Sequence, residues 1–136
     1  MREILFRAKR SDNGKWIFGD LLTPTDFLEI FEISVNTGDG DRYDIDPDTI
    51  CQYTGLKDKN GKKIFEGDIV SYDTGNSKRT NGNIHEVVFE TRGGSAYFGI
   101  KLDEHETWQF CMEVPTKLME VIGNIYDNPE LLKEEG

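Results

Sequence analysis

The sequence predicts a mainly β protein, a small barrel or sandwich of short strands, and three observations carry that reading. The 136 residues hold 14 glycines and only 4 prolines, so tight turns are frequent. Short apolar and aromatic stretches alternate with Asn-Gly, Glu-Gly-Asp and Gly-Gly turn chemistry along most of the chain, the spacing of small all-β folds. Neither an internal repeat nor a coiled-coil heptad interrupts the pattern.

The elements follow in chain order. Ile4, Phe6 and Ala8 fall on one side of an extended segment, with Leu5, Arg7 and Lys9 on the other. Asp12-Asn13-Gly14-Lys15 then supplies a turn, and Trp16 to Leu22 returns as an aromatic strand, so the N-terminal region reads as a β-hairpin. Residues 26 to 35 carry both periods. The late cluster of Phe31, Ile33 and Val35 favours a strand over Glu29 to Val35. Thr37 to Asp48 reads as a polar, carboxylate-dense loop, and Ile50 to Tyr53 as a short strand. Asn60-Gly61 is a hairpin turn, and Glu66-Gly67-Asp68 is a second turn feeding the strand Ile69 to Tyr72. Residues 75 to 83 form a polar loop. Val87-Val88-Phe89, a turn at Arg92-Gly93-Gly94, and Ala96 to Leu102 make another hairpin, and Trp108 to Val114 and Met119 to Tyr126 give two further strands. Asn128-Pro129-Glu130 starts a short C-terminal helix, with Asn at the cap and Pro at the first helical position. Phe6, Trp16, Phe18, Leu56, Phe65, Ile69, Val70, Val88, Phe98, Trp108, Val121 and Ile125 are the expected buried set.

Charge narrows the partners. With 26 acidic and 16 basic side chains the net charge is -10 and the pI near 4.6, which opposes a broad nucleic-acid or anionic-membrane surface. Aromatic content of 11% excludes a purely acidic disordered tail. Two cysteines far apart, Cys51 and Cys111, do not make a disulfide framework. The charged N-terminus lacks a signal-peptide core, and no apolar run reaches transmembrane length. A cytoplasmic protein is the expectation.

Several blocks resemble a known family. They are Phe6-Arg7-Ala8, Trp16-Ile17-Phe18-Gly19, Pro47-Asp48-Thr49-Ile50-Cys51-Gln52-Tyr53-Thr54-Gly55-Leu56, Asp58-Lys59-Asn60-Gly61-Lys62, Ile64-Phe65-Glu66-Gly67-Asp68-Ile69-Val70, and Ile122-Gly123-Asn124-Ile125-Tyr126-Asp127-Asn128-Pro129-Glu130-Leu131-Leu132. In order and spacing the chain resembles the YopX family over nearly its whole length. One departure is Cys51, where the family pattern has a small residue such as glycine. The resemblance implies a small bacteriophage or prophage protein of unestablished function, acting in the host cytoplasm, with an SH3-like barrel in the C-terminal part. It implies no catalytic residues. The expected organisation is one YopX-like unit: an N-terminal hairpin region over 1–46, an SH3-like barrel region over 47–126, and a short helix and tail over 127–136.

Constellations that could carry chemistry are few. Asp39, Asp41, Asp44, Asp46 and Asp48 suggest a cation loop, but counting from Asp39 an EF-hand fails at Tyr43, Asp44 and Ile50. Cys51, His85, His105 and Cys111 lack the paired spacing of structural zinc, and Cys111 sits in an apolar segment that keeps a thiol inert. No phosphate-cradling motif occurs. No catalytic residue, metal or cofactor is expected. Gly14, Gly55, Gly61, Gly67 and Asp68 are expected as structural turn residues.

Function is therefore expected to lie in binding. The leading expectation is a non-enzymatic module that contacts a phage or host protein. An alternative is a nucleic-acid-binding module using the loop residues Lys57, Lys59, Lys62 and Lys63, with Lys78 and Arg79 later, beside aromatics such as Tyr53, Phe65, Tyr72 and Tyr97. A third is an acidic decoy for a DNA-binding protein. The apolar groups on both sides of Trp16-Ile17-Phe18 also suggest a homo-oligomer joined through the N-terminal part.

Overall fold

The structure is a computed structural model, and it describes residues 5–22, 29–33, 40–72, 84–92, 94–102, 107–110 and 115–132. The chain is mainly β, and no helix among these residues is long and apolar enough to cross a membrane. It divides into two compact units, Met1–Gly55 and Leu56–Gly136. The boundary falls inside the strand β5 (Cys51–Lys57).

In the first unit β1 (Phe6–Lys9), β2 (Trp16–Leu22), β3 (Glu29–Ile33) and β4 (Gly40–Asp44) form an antiparallel meander. The opening hairpin pairs Lys9 with Trp16, Arg7 with Phe18 and Phe6 with Gly19. Its turn is closed by Arg10 N–H to Lys15 O and Gly14 N–H to Arg10 O, both 2.9 Å, and Asn13 Oδ1 accepts from Lys15 N–H. A bridge between Arg10 and Ile45, with Ser11 N–H donating to Asp44 O, returns the end of β4 to β1. The strands thereby enclose Ala8, Ile17 and Ile45, with Phe6, Leu21, Tyr43 and Ile50 packed on them. β5 lies on the other side of β1, with Arg7 opposite Cys51 and Phe6 opposite Gln52.

This corrects the acidic-loop expectation. Residues 40–44 are strand, because Tyr43 and Ile45 alternate inward and β3 takes up the backbone hydrogen bonds. Asp44 and Asp46 then alternate with Tyr43 and Ile45, and Asp44, Asp46 and Asp48 are exposed. Asp46 also caps a 3-10 turn over Pro47–Thr49: its Oδ1 accepts from Asp48 N–H at 3.0 Å. Thr49 Oγ1 donates to Asp46 O and accepts from Lys9 N–H, which ties this turn to β1.

The second unit is a five-stranded sheet in the order β10-β9-β8-β7-β11. Its strands are β7 (Asp68–Ser71), β8 (Ile84–Arg92), β9 (Ser95–Lys101), β10 (Thr107–Gln109) and β11 (Glu120–Asn124); β6 (Lys63–Phe65) follows β5 in the other sheet. Ile64, Val70, Val87, Ile100, Leu102, Phe110, Met119 and Val121 form the core, with Leu56, Tyr72, Phe98 and Trp108 partly buried against it. At Gly99 the backbone of β10 comes so close that a Cβ would strike the Trp108 carbonyl. The C-terminal helix is a four-residue 3-10 turn, Pro129–Leu132, not an α-helix. Asn128 does not cap forward as its position suggests. Its Oδ1 accepts from Asn124 N–H at 3.2 Å, above Gly123, where a Cβ would collide with it.

Two neighbouring turns meet β11, some 60 residues further along the chain, and a third turn closes its end. The Asp58 carboxylate, 5% exposed, accepts from the N–H groups of Asn60 and Lys62 through Oδ1 and of Val121 through Oδ2, each at 2.9 Å. Lys59 N–H donates to Met119 O at 2.9 Å. Glu66-Gly67-Asp68 is held by Gly67 N–H to Val87 O and by Ile125 N–H to Gly67 O, while Asp68 Oδ2 accepts from Phe65 N–H at 2.7 Å. Asn124 Oδ1 in turn accepts from Tyr126 and Asp127 N–H.

Of the expected buried set, Phe65, Ile69, Val70 and Val121 are buried, and Phe6, Trp16, Leu56, Val88, Phe98, Trp108 and Ile125 are half-buried. Phe18 is the exception at 43% exposed. It shares the outward face of β2 with Trp16, while Ile17 and Leu21 take the inward one.

Two predictions follow from the close contacts. Asp58→Ala leaves the Asn60, Lys62 and Val121 N–H groups without their acceptor and should cost about 3 kcal/mol or more, read as a shift in the urea midpoint at unchanged slope. Gly99→Ala should cost about 1–3 kcal/mol by overpacking, although an alanine suits an ordinary strand.

Candidate functional site

The lysine-bearing turn is built on Asp58. Lys57, Lys59 and Lys62 are exposed and Lys63 is half-buried. Lys59 Nζ lies 3.9 Å from Glu120 Oε2, and Asn60 Nδ2 donates to that same oxygen at 3.2 Å. The cations therefore stand among carboxylates. Rings expected beside them are not laid out as stacking surfaces: Phe65 and Tyr97 are buried, and Tyr72 is half-buried against the second unit's core. Tyr53, in the first unit, is 5% exposed. Burial takes Tyr53, Phe65 and Tyr97 out of reach as stacking platforms. Lys78 and Arg79 lie outside the described residues.

The buried Asp, Cys and His side chains each bond to backbone, although His85 Nδ1 is buried without a hydrogen-bond partner among the described residues. Asp68 is 1% exposed and bonded to Phe65 N–H. Cys51 is buried, and its Sγ donates to Thr49 O at 3.3 Å. His85 is 1% exposed, with Nε2 3.0 Å from Tyr72 O. His105, Cys111 and Asp39 lie outside the described residues. Among the described residues no group of three or more His, Cys, Asp or Glu is placed to hold a metal ion. Gly14, Gly55, Gly61 and Gly67 have φ values of 71, 87, 81 and 86°. At Gly61 a Cβ would have open space, so the turn's demand there is for the left-handed backbone alone.

What remains is surface. On the outward face of the β1–β2 hairpin, Arg7 and Lys9 lie over the Trp16 ring at 4.8 and 5.4 Å, a cation–π arrangement set by the Lys9–Trp16 register. Phe18 and then Asp20 continue that face, both exposed. At the mouth of the same unit, Arg10, Ser11, Asp12, Tyr43 and Asp44 line an open cavity of about 360 Å³. Arg10 is pinned there: it stacks over Tyr43 at 4.4 Å and bonds Asp12 through Nε and Nη2. That hydrogen bond holds the Asp12 carboxyl below its usual 3.8. In the second unit Phe89 is 47% exposed, its ring 4.9 Å from Phe98, and Leu118 is 67% exposed. Sequence reasoning found the aromatics of β2 but placed Phe18 inside. Alternation puts Phe18 on the face opposite Ile17 and Leu21, and the packing of those two makes it the outward one.

The buried acids and bases predict a two-stage acid response. Burial pushes the Asp58 carboxyl up, but the N–H groups of Val121, Lys62 and Asn60 and the Lys62 charge outweigh it and hold the pKa below 3.8. Its contribution to stability is complete above 3.8 and disappears as pH falls through the depressed folded value. Burial also lowers the His85 pKa below 6.5, against the backbone carbonyls of Tyr72 and Lys101. The unfolded chain therefore takes that proton first, and stability should decline as pH drops below 6.5. Glu86 works oppositely. Burial raises it above 4.5, Lys101 lowers it, and Glu66 and Glu90 raise it further, so the fold binds its proton first. The difference in unfolding free energy between wild type and His85→Gln, measured from pH 7.5 to 5, cancels Glu86 and should narrow in favour of the variant as pH falls. A constant difference would contradict the assignment.

Comparison with known proteins gives the chain its relatives. A crystal structure of protein EF1440 from Enterococcus faecalis is similar over 98% of this chain and 100% of that one, with 28% identity and a TM-score of 0.55. Nothing among the curated proteins matches it. The family described as YopX protein matches residues 5–133. With that match spanning nearly its whole length, the chain belongs to the YopX family.

Proposed function

We propose that the protein is a phage- or prophage-encoded accessory protein of the host cytoplasm that works as a non-enzymatic protein-interaction module. Family membership supports the phage setting. The observation that carries the binding role is a contrast between inside and outside. Asp58, Asp68, His85 and Cys51 are buried and bonded to backbone, whereas Phe18 stands 43% exposed on a strand face. Exposed aromatic side chains on a regular sheet face are what interfaces use as anchors. The five-stranded second unit has the strand content of the SH3-like barrel the family resemblance implies; peptide binding by such barrels is an analogy of fold and lends only background support.

Phe18→Ser removes a ring that is only 43% exposed and should cost about 1–2 kcal/mol while leaving the fold intact. The wild type, immobilised in nuclease-treated lysate of infected host cells, should retain specific proteins that the Phe18→Ser form does not. Retention abolished by the nuclease would instead support nucleic-acid binding through Lys57, Lys59 and Lys62. Retention undiminished in the Phe18→Ser form would remove the β1–β2 face from the account.

A further inference from the structure

We propose that Asn13-Gly14 is a site of spontaneous deamidation, through which the β1–β2 hairpin ages while the chemically identical pair Asn60-Gly61 is spared. Asparagine is thermolabile, and a following glycine lacks the Cβ that would shield its backbone nitrogen from the side-chain carbonyl carbon. Both pairs are exposed, and both glycines hold a left-handed φ, 71° at Gly14 and 81° at Gly61. Both glycine N–H groups are also bonded inside their turns, to Arg10 O at 2.9 Å and to Asp58 O at 3.0 Å. Attack therefore needs a turn that opens, and the two turns differ in what holds them shut. Around Asn60-Gly61 the buried Asp58 carboxylate takes the N–H groups of Asn60, Lys62 and Val121, and Lys59 N–H bonds to Met119 O. Among the described residues, Asn13, Gly14 and Lys15 bond only within their own hairpin. The ties from this turn to β4, Ser11 N–H to Asp44 O and the Arg10 guanidinium over Tyr43, stop short of Asn13. Opening it disturbs a loop tip, whereas opening the other strips the bonds of a buried carboxylate.

The two carboxamides also differ electronically. Lys15 N–H donates to Asn13 Oδ1 at 2.9 Å, and the ring that this bond closes runs through the Gly14 nitrogen. A donor on the oxygen makes Cγ more electrophilic and stabilises the oxyanion as it forms. At Asn60 the bond is on the other atom. Its Nδ2 donates to Glu120 Oε2 at 3.2 Å, which feeds electron density into the carboxamide and holds it toward β11. In the reaction Gly14 N–H gives its proton to solvent and the nitrogen bonds to Asn13 Cγ. The Cγ–Nδ2 bond then breaks, Nδ2 takes a proton from solvent, and ammonia leaves a succinimide behind. Water opens that ring at Cγ, giving aspartate at position 13, or at the main-chain carbonyl, giving isoaspartate. One water is consumed and one ammonia released, with no change of oxidation state. Isoaspartate routes the chain through Cγ and adds a carbon to the backbone of the turn, which displaces the bonds of Gly14 and Lys15 N–H. Either product sets a new carboxylate beside Asp12, whose own is paired with Arg10 at 2.6 Å.

The test is peptide mapping of the full chain held warm at mildly alkaline pH, once native and once in guanidinium chloride. Mass spectrometry follows the conversion of amide to acid at each asparagine, and an isoaspartate-specific methyltransferase marks the rearranged product. Asn81-Gly82 lies outside the described residues and is read as a separate peptide. In the native chain Asn13 should convert at least about tenfold faster than Asn60, the ratio being set by the two opening equilibria. In guanidinium the two rates should converge. Equal native rates, or faster loss at Asn60, would overturn the assignment. So would an Asn13 that survives in the native chain while the denatured chain reacts. A difference that persists in guanidinium would overturn it as well, since the cause would then be local sequence and not the fold. The isoaspartate form, separated by anion exchange and identified by the methyltransferase, should lose amide-exchange protection at Gly14 and Lys15 and keep it at Asn60, Lys62 and Val121. Unchanged protection at Gly14 and Lys15 would overturn the ageing of the hairpin.

Discussion

The second unit depends on one buried carboxylate. Asp58 has two oxygens and spends them on three N–H groups, two from the Asn60-Gly61 turn that follows it and one from Val121, on β11. A carboxylate inside a protein is costly unless its lone pairs are filled, and hydrogen bonds to a charged acceptor are about twice as strong as neutral ones. Filling it from both ends of the unit converts that cost into a constraint, since the turn and β11 must be in place together. The outer edge of β11 also gains an acceptor for Val121 N–H without another strand. The second contact, Lys59 N–H to Met119 O, then follows from the same register.

Seen from Asp58, the family blocks of the second unit form a structural set. Asp58 to Gly61 docks on β11 near Val121, Glu66-Gly67-Asp68 meets its far end through Ile125 N–H, and Asn124 and Asn128 fold that end back on itself. Each of these three is a turn whose polar side chain replaces a backbone partner, whereas the blocks Phe6-Arg7-Ala8 and Trp16-Ile17-Phe18-Gly19 are strand. Family resemblance in these residues therefore marks how the fold is held.

Much of the fold was legible because its punctuation is local. Asn13-Gly14 and Asn60-Gly61 declare turns through glycine's left-handed backbone, and the aromatic run after the first of them declares the returning strand. β4 was not legible, because five closely spaced aspartates outweigh one tyrosine and one isoleucine in any count of polarity. Strand pairing with β3 and the inward alternation of Tyr43 and Ile45 decide the matter, and both are tertiary. Asp58 drew no role of its own from the sequence, since its acceptor role needs Val121, far along the chain. Phe18 read as core because aromatic residues usually are; only the packing of Ile17 and Leu21 fixes which face of β2 turns inward. Site residues chosen by charge and aromaticity, Tyr53 and Tyr72 among them, were placed by burial that a local pattern does not report.

The central claim is that the Asp58 carboxylate joins its turn to β11 as one cooperative element. Native-state hydrogen exchange at the amides of Asn60, Lys62 and Val121 tests it most directly. The account predicts that these amides exchange together, with protection close to that of the core strand at Ile69 and Val70, because opening one requires opening the whole unit. Rapid exchange of the Val121 amide while Ile69 and Val70 stay protected would contradict it, and would reduce Asp58 to a local turn residue.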